Sequence, residues 1–208
     1  MLISYAVSAL LTLFVVVDPV GLVPTFLAVT EDLPRSARRS VAVRASIIAG
    51  AILVGAALIG GWLLHALAIS LSAFRIAGGL LLFSIASEMV FGVRMRREGA
   101  AAEQALEEHM RNIAAFPLAI PLLAGPGAIT ATVLLAGRAN GNLLLLAVLI
   151  AVVALIAAAC LMAFLFATRI SEALGMTGNI VLSRLLGVLL AALAVQYVVD
   201  GIRAILAG

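Results

Sequence analysis

Residues 75–94 read RIAGGLLLFSIASEMVFGVR, and residues 184–203 read RLLGVLLAALAVQYVVDGIR. The two stretches lie 109 positions apart and match at Arg75/Arg184, Gly78/Gly187, Leu80/Leu189, Leu81/Leu190, Val90/Val199, Gly92/Gly201 and Arg94/Arg203. Leucine matches mean little in an apolar chain. Paired arginines and glycines in one register mean more, and they point to an internal duplication. Each copy closes a group of three apolar segments. Three is an odd number, so the second group enters a bilayer upside down relative to the first. Inverted repeats of this kind characterise secondary transporters, which bind substrate near the midplane where the repeats meet.

The composition outside the repeat supports a membrane chain. Of 208 residues, 65% are hydrophobic and only 11% are charged. A mean hydropathy of +1.27 lies beyond the range of a soluble domain. Apolar stretches run at 2–29, 42–65, 71–92, 113–137, 142–168 and 180–206. Each is long enough to cross a hydrocarbon core, at about 20 residues per span. The expected fold is therefore an all-α integral membrane protein with six transmembrane helices in two inverted three-helix repeats. One transmembrane domain covers 1–208. Repeat one is 1–93, a polar cytoplasmic loop is 94–112, and repeat two is 113–208. The opening residues carry no basic n-region and no small-residue cleavage site, so they read as a first span.

All 13 basic residues are arginine. Arg35, Arg38, Arg39, Arg44, Arg94, Arg96, Arg97, Arg111 and Arg169 fall on one side of the expected topology, and Arg138 and Arg203 on the other. The arginine-rich side should be cytoplasmic, which puts both termini outside. The sequence pI near 10.0 then reflects topology. No aromatic residues interleave these arginines, so nucleic acid is not an expected partner. The single Cys160 sits in an apolar run and reads as a small buried hydrophobe. In the polar loop, Glu107, Glu108 and His109 are adjacent, so a helix would point them in different directions and they read as a solvated face.

Two spans are interrupted. The first contains VVVDPVGLVPTFL, with Asp18, Pro19, Gly21 and Pro24. The fourth contains AAFPLAIPLLAGPGAITATVLL, with Pro117, Pro121, Gly125, Pro126 and Gly127. Proline inside a helix removes a hydrogen bond and clashes with the preceding turn, but it is comfortable at the first position of a new helix. Asp18-Pro19 and Gly125-Pro126 both fit a cap followed by such a start. Spans 1 and 4 should each be two half-helices broken near the midplane. A half-helix N-terminus presents unpaired N–H groups and partial positive charge, which suit a carboxylate. The candidate substrate-binding residues are Asp18, Pro19, Gly21, Thr25, Gly125, Pro126, Gly127 and Thr130. Asp18 would meet an ammonium, a sodium ion or a proton, or act only as a buried N-cap. Thr25, Thr130 and Thr132 could equally bond their own helix backbones. Glu88 and Asp200 lie near span ends and read as solvated. Arg75 and Arg184 read as snorkelling residues that start their spans.

With DPVGLVPTFL, PLAIPLLAGPGAIT and the glycine-containing third and sixth spans, the chain resembles the MarC family of bacterial inner-membrane proteins over essentially its whole length. The broader resemblance is to LysE-like amino-acid exporters. In the MarC family Asn often stands where this chain has Asp18. The resemblance implies transport of small neutral amino acids such as glycine and alanine, coupled to a proton or sodium gradient, in the bacterial inner membrane. No bound cofactor is expected. The expected partners are the lipid bilayer and a small zwitterionic substrate, with homo-oligomerisation left open. The alternatives are export of another small metabolite, or a channel or lipid-interacting scaffold without transport activity. An enzyme is not expected, because the spans hold no His–Ser pair, Cys–His pair, paired aspartates or metal-ligand motif.

Overall fold

The structure, a computed structural model, describes residues 2–92 and 123–207. Expectations for the polar loop, for Glu107, Glu108 and His109, and for the Pro117–Pro121 part of span 4 lie outside these residues. The described chain is helical: α1 (Leu2–Val17), α2 (Val23–Val29), α3 (Arg35–Ala66), α4 (Leu71–Phe91), α5 (Pro126–Ala139), α6 (Leu143–Leu165) and α7 (Ala167–Leu206). Gly175 interrupts α7 with φ 63° and ψ 177°. Four helices are long and apolar enough to cross a membrane: Arg35–Ala66, Leu71–Phe91, Leu143–Leu165 and Thr177–Leu206. Arg184 therefore lies well inside a continuous helix and does not start one.

Many large apolar side chains face outward, among them Ile3, Val7, Leu11, Trp62 and Leu143. Lipid solvates such a surface, so its burial gains nothing, and packing between helices must come from close approach of small residues. The duplicated segments illustrate this. A Cβ on Gly79 of α4 would stand 2.7 Å from the Ala194 carbonyl oxygen of α7. One on Gly187 of α7 would meet Met89 and the Ala86 carbonyl of α4, and one on Gly201 would meet Ser72 and Ile76. Contact positions rise along α4 as they fall along α7, so the two helices run antiparallel.

Local chemistry ends the helices where the chain turns. The Ser70 hydroxyl accepts from the Ala73 N–H and caps α4, and the Asn142 side chain accepts from Leu144 and Leu145 at the start of α6. Gly92 closes α4 in the left-handed region at φ 72°. The α3–α4 turn is less comfortable. Ala68 occupies φ 54° there, with the Ile69 N–H bonded to the Leu64 carbonyl. An alanine in that region costs roughly 1–2 kcal/mol, offset for glycine only by chain entropy. Ala68→Gly is therefore expected to raise stability by up to about 1 kcal/mol. A thermal midpoint in detergent that stays level or falls would contradict this account of the turn.

Charged side chains gather at the two ends of the molecule. Arg35, Arg38 and Arg39 of α3 share a cleft with Arg169 at the start of α7. Asp200 lies 23 residues along the helix from Thr177, roughly 35 Å at 1.5 Å per residue. It pairs with Arg138 at 3.7 Å and accepts a 2.7 Å hydrogen bond from Gln196. Asp200 is thus partnered and only part-exposed, where free solvation was expected. The Arg138 guanidinium also stacks over the buried ring of Tyr197, 4.9 Å from its centroid. The Tyr5 hydroxyl donates to the Leu135 carbonyl, tying α1 to α5 at this same end.

Candidate functional site

The break in the first span begins at Asp18. Its N–H closes α1 by bonding the Phe14 carbonyl at 2.9 Å. Pro19 cannot continue the helix, and the residue before a proline is pushed out of the right-handed helical region. Asp18 adopts φ 53°, a left-handed conformation that Asp and Asn enter more readily than other side chains. One residue thus ends α1 and caps the turn after it. The Asp18 carbonyl accepts from the Leu22 N–H, and its Oδ1 accepts from the Gly21 N–H at 3.0 Å. Pro19 occupies the first position of that single turn. The regular part of the second half-helix begins later than expected: α2 starts at Val23, with Leu22 at its N-terminal boundary and Pro24 in the first turn. The physical reason is that Asp18 caps one isolated turn over 19–22, and the chain tightens again before α2.

The break also lies off-centre. α1 has 16 residues, about 24 Å, and α2 has seven, about 10 Å. Asp18 is 2% exposed. At the centre of a span an ionised carboxylate costs about 2.5–3.5 kcal/mol on insertion scales, and less towards either interface. Part of that cost is met across the fold. The Ser183 hydroxyl of α7 donates to Asp18 Oδ2 at 3.2 Å. Gly21 has no room for a side chain, because a Cβ there would run into the carboxylate.

The start of α5 adjoins the break in the first span. Gly125 caps α5 without a side-chain acceptor, and Pro126 takes the first turn, as Gly125-Pro126 suggests. Gly127 packs against Val16, two residues before Asp18, and against Leu82 and Ile85 of α4. The start of α5 therefore meets the end of α1 in the interior. The remaining expected residues scatter. Thr25 is buried in α2. Thr130 is also buried, but turns its methyl group towards Gly78 of α4. Pro126 reaches the surface. Thr132 bonds its own helix at the Ala128 carbonyl.

Two residues at the site were not expected from sequence. Ser183 holds Asp18, and Asn179 stands one turn earlier on the same face of α7. Asn179 is 4% exposed, and among the described residues its Nδ2 has no hydrogen-bond partner. It lines a cavity of about 250 Å³ with Val23 and Pro24 of α2 and with Ser171 and Gly175 of α7. At roughly 30 Å³ per water, that is room for about eight waters or one small solute. Polar residues four apart in an otherwise apolar span were the available signal. Their meaning depended on which way that face turns.

The fold and this buried polar break define an integral, multi-pass helical membrane protein. The chain belongs to the MarC family of integral membrane proteins, whose family model matches residues 3–206. It is 38% identical to a UPF0056 membrane protein of Methanocaldococcus jannaschii, covering 96% of this chain and 97% of the relative. A UPF0056 membrane protein of Archaeoglobus fulgidus is 36% identical over 96% of this chain and 92% of its own. The UPF0056 membrane protein YhcE of Escherichia coli is 34% identical over 94% of this chain and 91% of its own. No solved structure matches.

Proposed function

We propose that this protein is a secondary transporter of small neutral amino acids such as glycine and alanine. The observation that carries this reading is the buried Asp18 at the break of the first span, bonded to Ser183 beside the unpartnered Asn179 amide. A zwitterion offers a charge for each side of that arrangement. Its ammonium suits the Asp18 carboxylate. Its carboxylate suits the Asn179 Nδ2, which lines the small cavity beside α2. The small cavity and apolar walls favour small uncharged side chains. Asp18 also serves as the coupling group for a proton or sodium ion, with no bound cofactor and no catalysis. The antiparallel packing of α4 on α7 supports six spans in two inverted repeats, with the site where the repeats meet.

Counterflow in proteoliposomes with a panel of amino acids, with and without proton and sodium gradients, tests this reading. Labelled glycine and alanine are expected to exchange, and larger or charged amino acids to exchange poorly. Asn179→Asp is expected to reduce exchange at least tenfold, because a second carboxylate would repel that of the substrate. Absence of exchange for every neutral amino acid would leave the channel or scaffold alternative. Exchange of a different small metabolite alone would favour the exporter alternative.

The proposed location is a cytoplasmic membrane, with the Arg35–Arg169 end inside and both termini outside. Single cysteines at positions 39 and 138 in a Cys160→Ala background should differ in labelling by an impermeant reagent. Position 138 is expected to label from outside and position 39 only after permeabilisation. The reverse pattern would invert the topology.

A further inference from the structure

We infer that the cleft between the start of α3 and the α6–α7 junction holds the phosphate headgroup of an anionic phospholipid. The cleft has a volume of about 510 Å³. Arg35, Arg38 and Arg39 enter it from α3, and Arg169 enters from α7. Among the described residues, no acidic side chain lines it. Arg38 is already engaged, donating from Nε to the Thr30 carbonyl and from Nη2 to the Glu31 carbonyl, both at 2.8 Å. Among the described residues, Arg35, Arg39 and Arg169 make no ion pair. The first turn of α3 holds no acidic residue, so its arginines add to the positive end of the helix dipole rather than opposing it. Four like charges gathered from two elements call for an anion, and arginine's fork of N–H donors suits phosphate oxygens.

The walls decide which phosphate. Phe26 and Phe164 also line the cleft and stack with ring centroids 4.4 Å apart. Leu165 and Phe166 continue the wall and stay 41% and 44% exposed. Guanidinium groups beside exposed apolar side chains in one cleft match a headgroup with its acyl chains. A free phosphate ion would use only the guanidinium groups. Basic pockets between helices at the charged side of a membrane are suited to anionic lipid headgroups on the same grounds. This inference is independent of the transport reading, because none of these residues belongs to the Asp18 site.

Native mass spectrometry of the purified full-length protein in detergent tests it. Phosphatidylglycerol and phosphatidylcholine are added at equal concentration, with and without millimolar inorganic phosphate. Preferential retention of phosphatidylglycerol is expected, undiminished by phosphate. Arg39→Gln with Arg169→Gln should lower that retention about tenfold. Arg75→Gln with Arg203→Gln removes the same charge at the opposite end and should leave it near the wild-type value. Equal retention of the two lipids by the wild-type protein would overturn the inference, as would equal losses in the two double variants. Displacement by inorganic phosphate would show an ion site instead of a lipid site. The wild-type comparison decides even if a variant proves unstable.

Discussion

Asp18→Ala is expected to abolish counterflow, at least a hundredfold below the wild-type protein, while the variant still purifies as a folded species. The carboxylate holds the turn after α1 and ties it to α7. It accepts from the Gly21 N–H and from the Ser183 hydroxyl, and it faces the interior at 2% exposure. Alanine removes both acceptors and leaves the Gly21 N–H and the Ser183 hydroxyl to find other partners, at about 1–3 kcal/mol for each buried group left unsatisfied. It also places a less tolerant residue at φ 53°. Asp18→Asn separates the roles. Asparagine keeps the left-handed conformation and a capping oxygen but discards the charge. If Asn binds substrate but no longer responds to a proton or sodium gradient, Asp18 is the coupling group. If Asn is fully active at every pH tested, Asp18 is structural and the ammonium partner lies elsewhere. Full activity of the alanine variant would sink both versions.

Gly21→Ala should be nearly as damaging, and for a reason tied to Asp18 itself. A Cβ at position 21 would occupy space now held by the carboxylate. Either the carboxylate leaves its hydrogen bonds or the turn over 19–22 opens. Overpacking of this kind costs typically 1–3 kcal/mol, and counterflow should fall with it. The informative variant is the pair. In an Asp18→Ala background the collision disappears, so adding Gly21→Ala should cost little further stability. The two substitutions should therefore be strongly non-additive, with a coupling on the order of 1–3 kcal/mol. Thermal midpoints that simply add would show that position 21 is restricted by something other than the carboxylate.

The helical membrane character of the chain was legible from hydropathy alone, because spanning segments must satisfy their backbone internally and must be apolar along their length. The interruption of span 1 was legible for a local reason. Pro19 cannot continue a helix, and Asp18 before it is a residue that caps. The cap at Gly125, with Pro126 in the first turn of α5, was legible likewise. Where the regular part of α2 begins was not, since Pro19 and Pro24 both offered a first-turn position. Only the closing of an isolated turn over 19–22 chose Val23.

The sequence by itself determined the number of apolar stretches, the two weak points in them and the pairing of arginines and glycines between the two copies. These depend on chemistry local to a few residues. The tertiary structure decided which polar groups face one another. Asn179 and Ser183 sit in an apolar span with no motif of their own, and only the rotation of α7 turns Ser183 to Asp18 and Asn179 to the cavity beside α2. Thr130 belongs to the promising half-helix, yet packing turns its methyl group to Gly78. Asp200 looked free to meet water, but the approach of α5 brings Arg138 to it. The direction a helix face takes is set by its neighbours, and neighbours distant in the chain leave no trace in the local sequence.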